Sequence, residues 1–162
     1  MDARTHSCQY RYAFFAVLRP TMRSVDQLFA RYSEFHRHRA NRAIHWICVP
    51  LIVWSVLGML WTASPVAACA AIAAAMLFYL RLSVRLALGM LVVLAVMAWA
   101  LPLLGPHVLI VSIAVFVAAW TGQFVGHALE GRSPAFVDDV RQFLVGPAWL
   151  LGDLYRKLGI SY

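Results

Sequence analysis

The chain has 162 residues, of which 62% are hydrophobic and 13% are charged. Soluble domains are about 45–50% apolar, so this composition excludes a water-soluble protein built around one buried core. The net charge of +7 requires no nucleic acid, because the anionic headgroups of membrane lipids attract the same cations.

The first segment of the chain is assigned to no folded element. Residues 1–22 are predicted to be an amino-terminal extension, and residues 23–162 a single membrane-embedded domain. The extension carries Arg4, Arg11 and Arg19 around a short apolar run, which is not the pattern of a cleavable signal peptide. Met22 is an alternative start of translation, and the intact mass of the native protein distinguishes it from Met1.

Two long tracts without Asp, Glu, Lys or Arg follow, at residues 43–80 and 86–129. A membrane pass takes roughly 20 residues, so each tract is long enough for two passes. Each tract also contains a turn signal, at residues 62–65 and 102–106, where proline interrupts the apolar sequence. We therefore predict four transmembrane helices in two hairpins, near 44–61, 65–80, 86–104 and 107–127.

The cations predict the topology. All fourteen Lys and Arg residues lie in the first 42 residues, at residues 81–85, or after Glu130. Short loops rich in cations stay on the cytoplasmic side, and four passes put all three segments on that side. The predicted fold is an all-α integral membrane bundle with both chain ends in the cytoplasm. We expect the inner membrane of a bacterium, or the endoplasmic reticulum in a eukaryote.

The stretch at residues 142–159 is apolar, but it is too short and too interrupted by Gly and Pro for another pass. Such a segment suits the membrane interface. We expect an interfacial or re-entrant helix that folds back on the bundle.

Polar residues able to do chemistry gather at the cytoplasmic ends of the first and fourth predicted helices. The first cluster contains His36, His38, Asn41 and His45, and the second contains Gln123, His127 and Glu130. Since the first helix begins and the fourth ends on the same side of the membrane, the two clusters are predicted to meet. Ionisable groups inside a membrane are costly and usually functional, so this convergence is the main functional signal.

Helical periodicity sorts these side chains by face. At 100° per residue, His38, Asn41 and His45 share one face of a helix, whereas His36 points about 180° away from His45. His36 can join the site only if the chain bends or unwinds between them. The second cluster, spaced i, i+4 and i+7, forms a single stripe.

Several imidazoles beside a carboxylate are typical of a non-haem Fe(II) site that leaves positions open for oxygen and substrate. The spacing of His127 and Glu130 is one by which a bundle helix supplies two ligands to one ion. The alternative is that these interfacial side chains only bind headgroups or backbone carbonyls. Arg42 also has two interpretations: a solvated residue facing headgroups, or a guanidinium that holds the carboxylate of a lipid substrate.

The two clusters resemble the motifs of a known family, the Fe(II)-dependent 2-hydroxy fatty acid dioxygenases of fatty acid alpha-oxidation. The first family pattern is similar to His36, Asn41, His45 and Pro50. The second is similar to Gln123, Gly126, His127, Glu130, Pro134 and Ala135. The resemblance covers about residues 25–159.

The resemblance implies a metal site and its metal. Its metal ligands are His36 rather than His38, together with His45, His127 and Glu130, and the metal is Fe(II). We further expect Asn41 and Glu130 to be catalytic, with Glu130 either completing the metal shell or acting beside it. Arg42, the cation nearest the bilayer, is expected to bind the substrate, and Gln123, Asp153 and His38 are expected to support the site.

The sequence departs from the family pattern at three positions. Arg39 stands where members often have the proline that breaks the helix after His36. Glu130 follows His127 by three residues rather than four, and Asp153 replaces a glutamate. The shorter Asp153 side chain favours a supporting role over a direct contact with the metal.

The resemblance implies that the protein shortens a 2-hydroxy fatty acid by one carbon, with dioxygen as the second substrate. We expect membrane lipid to surround the protein. Two other functions stay open: a b-type haem protein with His45 and His127 as axial ligands, and a non-catalytic membrane protein that binds lipid. Di-iron membrane desaturases are excluded, because they need more than six histidines and an HxxHH box. No oligomeric state follows from these patterns.

Overall fold

The computed structural model describes residues 24–131 and 141–162, which form helices connected by short turns. Helix α1 spans Ser24–Glu34, α2 Arg39–Ala63, α3 Pro65–Leu82 and α4 Val84–Ala100, a 3₁₀ segment spans Leu101–His107, α5 spans Val108–Glu130 and α6 Gln142–Lys157. No strand occurs in these two ranges. The predicted all-α class is confirmed, and the predicted extension at residues 1–22 lies outside the described residues.

Three helical runs are long and apolar enough to cross a membrane: Arg39–Ala63, Pro65–Leu82 and Val84–Glu130. These runs expose large apolar side chains, including Val66, Trp99 and Leu103, each at least 70% exposed. Hydrocarbon is a favourable surrounding for such side chains, whereas a water-soluble monomer rarely exposes large apolar patches. The described part of the chain is consistent with an integral membrane protein.

The third run covers 47 residues, whereas one pass takes roughly 20. It is not a uniform helix, because α4 passes into the 3₁₀ segment, inside which Gly105 has a φ of +53°. This backbone conformation favours glycine, and it lies within the predicted turn at residues 102–106. The division of this run into a third and a fourth pass stays a prediction.

Ser64 both ends α2 and begins α3. Its N–H donates to the carbonyl of Leu60 at 2.8 Å, and its Oγ accepts from the N–H of Ala67 at 3.3 Å. Serine is a favoured helix N-cap, and the following Pro65 suits the first helical position. The two helices therefore follow each other with a single residue between them.

Helices α2 and α5 pack closely because glycine stands where α5 meets α2. A Cβ added to Gly122 would lie 2.7 Å from Cys48 Sγ, and one added to Gly126 would lie 2.5 Å from Asn41 Oδ1. Two glycines four residues apart let side chains of α2 lie directly against the backbone of α5. This packing brings the carboxyl-terminal half of α5, as predicted, against the beginning of α2.

Helix α6 packs back on the bundle against α1, α2 and α4. Its buried face includes Val145, Ala148 and Trp149. The indole Nε1 of Trp149 donates to Ser33 Oγ at 2.9 Å, which fixes α6 to α1. With 16 residues, α6 is not among the candidate membrane spans, and its predicted place at the interface stays a prediction.

Candidate metal centre

The helix break that His36 requires is present. Helix α1 ends at Glu34 and α2 begins at Arg39, and between them His38 is extended, with φ −70° and ψ 129°. His38 is exposed, and its Nδ1 accepts a hydrogen bond from the N–H of Ala40 at 3.2 Å. His38 therefore caps α2, while the turn before it directs His36 into the protein.

His36, His45 and His127 form a buried cluster. The ring centroids are 4.1 Å apart for His36 and His45, 5.3 Å for His36 and His127, and 5.0 Å for His45 and His127. The rings are steeply inclined to one another, at 67° to 88°. One nitrogen from each ring lies within 4.8 Å of the others, so the three imidazoles can hold one metal ion.

The hydrogen bonds of His36 and His45 determine which nitrogen faces the cluster. His36 Nδ1 lies 2.8 Å from the carbonyl of Tyr32, and His45 Nδ1 lies 2.9 Å from that of Asn41. Since a carbonyl only accepts, each Nδ1 carries the proton and each Nε2 presents a lone pair. Such second bonds orient metal-binding imidazoles in proteins.

The two Nε2 atoms are 2.8 Å apart, so two lone pairs face each other unless a cation lies between them. Burial lowers the pKa of His36 to about 4, which outweighs the opposing effect of its bond to the Tyr32 carbonyl. A proton is therefore a poor cation for this place near neutral pH. Two metal–nitrogen bonds of about 2.1 Å at a right angle put their nitrogens about 3 Å apart, so a metal ion fits the spacing.

His127 completes the donor set from α5. Its Nδ1 is buried and, within residues 24–131 and 141–162, has no hydrogen-bond partner. A buried nitrogen of this kind costs free energy unless a ligand satisfies it. The donor set of three imidazoles thus fits a transition-metal ion, and iron is among the metals that imidazole suits.

Glu130 lies outside this three-histidine group, although the resemblance implied that it is a ligand. Its carboxylate accepts hydrogen bonds from the N–H groups of Arg37 at 3.0 Å and His38 at 2.8 Å, and from Asn41 Nδ2 at 3.1 Å. An anion at the first N–H groups of a helix is favourable. The last residue of α5 therefore caps the beginning of α2.

Asn41 connects this cap to the cluster. The side chain is fully buried, and its Nδ2 donates to Glu130 and to the carbonyl of Phe35 at 3.3 Å. The backbone carbonyl of the same residue accepts from His45. Asn41 thus fixes both the turn that carries His36 and the ring of His45, without lining the cavity beside them.

Arg42 and Asp153 lie beside the cluster rather than in it. They form an ion pair at 3.5 Å, and Asp153 also pairs with Arg156 at 3.5 Å and with Lys157 at 3.0 Å. Burial alone would raise the pKa of Asp153, but these cations, Lys157 foremost, hold the pKa below its usual value. The guanidinium of Arg42 is 5.4 Å from the ring of Trp149. Neither Arg42 nor Asp153 lines the cavity.

A cavity of about 60 Å³ opens beside the three imidazoles. The predicted Gln123 lines it, and so do two polar residues that the sequence did not indicate, Tyr32 and Gln142. The ring of Tyr32 stacks on His36 at 4.3 Å and 12°. Gln142 is buried, and its Oε1 has no hydrogen-bond partner in the part of the chain that the structure describes.

Tyr32 could have been found from its spacing, because it precedes His36 by one helical turn. Gln142 gave no signal, since it lies after the second motif and belongs to neither. Two motif residues, Pro134 and Ala135, lie outside the described residues.

Comparison with protein families identifies the chain. The family described as 2-hydroxy-palmitic acid dioxygenase Mpo1-like matches residues 22–158. The chain belongs to this family, and the resemblance seen in its motifs is confirmed. No curated protein and no solved structure matches the chain.

Proposed function

We propose that this member of the Mpo1-like family is a membrane-bound, iron-dependent dioxygenase that shortens 2-hydroxy fatty acids by one carbon. The observation that carries the proposal is the buried three-histidine cluster, in which two Nε2 lone pairs face each other at 2.8 Å. The family name supports the reaction class and the substrate class.

His36, His45 and His127 would hold the iron. Three protein ligands would leave coordination positions open for dioxygen and substrate, and imidazole is a ligand that suits iron. When bound, the iron supplies the reaction with dioxygen that no side chain can perform. The neutral tautomers of His36 and His45 suit this role, because a ligating imidazole must be unprotonated.

The reaction balances without another reductant. A 2-hydroxy acid and one dioxygen yield the acid with one carbon less, carbon dioxide and water. The C1–C2 bond breaks, and C2 rises from the oxidation level of an alcohol to that of a carboxylic acid.

The remaining polar groups of the cavity would hold the substrate head. Burial raises the pKa of Tyr32 well above its usual range, so its hydroxyl stays protonated and can donate to a carboxylate. Gln123 and Gln142 offer amide donors and acceptors on the same cavity. Glu130 and Asn41 would act through the turn that carries His36, rather than on the substrate itself.

We place the site at the cytoplasmic side of a four-pass bundle with both ends in the cytoplasm. His45 belongs to the beginning of one candidate span and His127 to the end of another, and His36 lies just before the first of these spans. Arg37, Arg39 and Arg42 lie at the same end, and their charges suit a headgroup region rich in anionic lipid. A fatty acid dissolved in the bilayer can then bring its carboxylate to the site while its chain stays in hydrocarbon.

The b-type haem alternative fits the geometry poorly. A porphyrin between His45 and His127 would need the space beside His45 that His36 occupies, with a ring centroid 4.1 Å away. The absorption spectrum of the purified protein checks this directly, because a Soret band would establish haem and overturn the mononuclear iron site.

The test of the proposal is anaerobic reconstitution with Fe(II) in nanodiscs, followed by product analysis on a panel of 2-hydroxy fatty acids with a label at C1. We expect the shortened acid, labelled carbon dioxide and consumption of one dioxygen per turnover. The His127→Ala variant should bind less iron and form no product. A protein that binds iron fully and shortens none of these acids would overturn the proposal and favour a non-catalytic, lipid-binding role.

A further inference from the structure

A second cavity, of about 130 Å³, lies between α2, α4 and α6. No charged side chain lines it, and apart from the indole of Trp46 its lining is aliphatic side chains, methionine and proline. Both lining prolines, Pro50 and Pro147, lie inside helices. A proline inside a helix removes one backbone hydrogen bond.

The two cavities share part of their walls. Val49 and Val53 of α2 and Pro147 of α6 line both the cavity beside the imidazoles and the apolar one. The apolar cavity is therefore a direct neighbour of the site, across the contact between α2 and α6.

The apolar cavity also extends away from the polar end of the site. On α2 the apolar cavity, like the cavity beside the imidazoles, reaches Val53, eight residues beyond His45, which is about 12 Å along a helix. On α4 it includes Val93 and Met97, deep within the third candidate span. A molecule with its head at the imidazoles and its tail past Val49 and Val53 would pass from polar to wholly apolar surroundings.

We infer that this apolar cavity holds the acyl chain of the substrate whose head lies at His36, His45 and His127. The inference rests on the proposed function and deepens it by assigning the chain a path over Val49, Val53 and Pro147. Burial of methylene groups in such a cavity is favourable. Val49 and Val53 have small side chains, so an acyl chain can lie against them.

The matched variants are Val93→Trp and Val92→Trp. Val93 lines the apolar cavity, whereas its neighbour Val92 is 63% exposed on the outer face of the same helix. An indole at residue 93 fills the cavity, and an indole at residue 92 projects away from it. Both variants should bind iron like the parent protein, since neither residue lines the cavity beside the three imidazoles.

Turnover is compared for 2-hydroxypalmitic and 2-hydroxyhexanoic acid in nanodiscs. We expect Val93→Trp to lower kcat/KM for the long acid by about tenfold or more, the loss when two methylenes leave an apolar site. The short acid should be affected much less, and Val92→Trp should change neither. Equal losses on both acids, or no loss on the long acid with iron content intact, would overturn the inference.

A second measurement on the parent protein does not depend on turnover or on variant folding. A 2-hydroxypalmitic acid with a diazirine near its methyl end is photolysed in nanodiscs, and the labelled peptides are mapped. We expect labels on α4 at residues 90–97 and on α6 at residues 150–154, suppressed by excess 2-hydroxypalmitate. Labels outside these two segments would overturn the chain path. Labels within them that excess 2-hydroxypalmitate does not suppress would indicate bulk lipid and would overturn it as well.

The two failures are distinguishable. Suppressible labelling in the cavity without any product would support the chain path and contradict the proposed reaction. Product formation with a length preference that Val93→Trp leaves unchanged would support the reaction and contradict the chain path.

Discussion

Glu130, the last residue of α5, accepts a hydrogen bond at 2.8 Å from the backbone N–H of His38, the N-cap of α2. The same carboxylate accepts from Arg37 and Asn41. One carboxylate thus connects the helix that carries His127 to the turn that carries His36 and to the helix that carries His45.

This connection predicts that Glu130 positions the metal ligands without binding the metal. Glu130→Ala should weaken Fe(II) affinity by about 10–100-fold, the usual effect of removing a group that orients a ligand. Glu130→Gln retains one accepting oxygen and should lose less. Anaerobic Fe(II) titration measures both, and equal, complete losses of metal in the two variants would instead indicate that Glu130 is a ligand.

A second prediction separates the two neighbouring histidines. His36→Ala should abolish stable iron binding, because His36 supplies one of the facing Nε2 atoms. His38→Ala is the matched control and should retain iron, since that side chain is exposed and bonds only to the N–H of Ala40 among the contacts described. Metal analysis after desalting gives the result, and iron retained by His36→Ala but lost by His38→Ala would contradict the assignment.

How much of this site follows from the sequence depends on the range of each interaction. The apolar spans and the stripe of Gln123 and His127 follow from local periodicity, which one helix determines by itself. His36 does not, because an unbroken helix points it away from His45, and only the family motif indicated it. The helix break before α2 is stabilised by Glu130, which accepts a hydrogen bond from the N–H of His38, 92 residues away in the sequence. Gln142 likewise reaches the cavity through the packing of α6, which no local pattern encodes.

The topology is the third prediction. The one-sided cations and the non-helical Gly105 favour four passes, with the run Val84–Glu130 turning at the 3₁₀ segment. Reporters fused after Arg85 or Tyr162 should be cytoplasmic, and reporters at Ser64 or Gly105 should be external. A cytoplasmic signal at Gly105 would contradict the four-pass arrangement.

A fourth prediction concerns Asp153 and pH. Because its folded pKa is below the unfolded value, its stabilising effect is fully present above about pH 4. The effect is lost as the pH falls through the folded pKa. Asp153→Asn should lower the free energy of unfolding by about 1 kcal/mol at neutral pH, as expected for partly exposed ion pairs.

Thermal unfolding in detergent over a pH series measures this difference. The gap between Asp153→Asn and the parent should close in acid. Asp26→Asn, at an exposed position of α1, is the control and should stay within about 0.5 kcal/mol of the parent. A gap that persists unchanged at pH values below the folded pKa would exclude the ion pairs as its cause.

The last prediction decides which side chains hold the substrate head. Arg42, which the sequence indicated as a possible partner of the substrate carboxylate, is paired with Asp153 and does not line the cavity, whereas Tyr32 and Gln142 do. Tyr32→Phe keeps the stacking on His36 and removes only the hydroxyl, so iron affinity should be unchanged. The loss of one hydrogen bond, about 0.5–1.5 kcal/mol, should raise KM for 2-hydroxypalmitic acid by roughly two- to tenfold. Gln142→Leu should act in the same direction, because its unpartnered Oε1 is available to the substrate hydroxyl.

Arg42→Lys keeps a cation beside Asp153 and should change KM by less than about twofold. A larger effect of Arg42→Lys than of Tyr32→Phe, at equal iron content, would assign the carboxylate to the guanidinium instead.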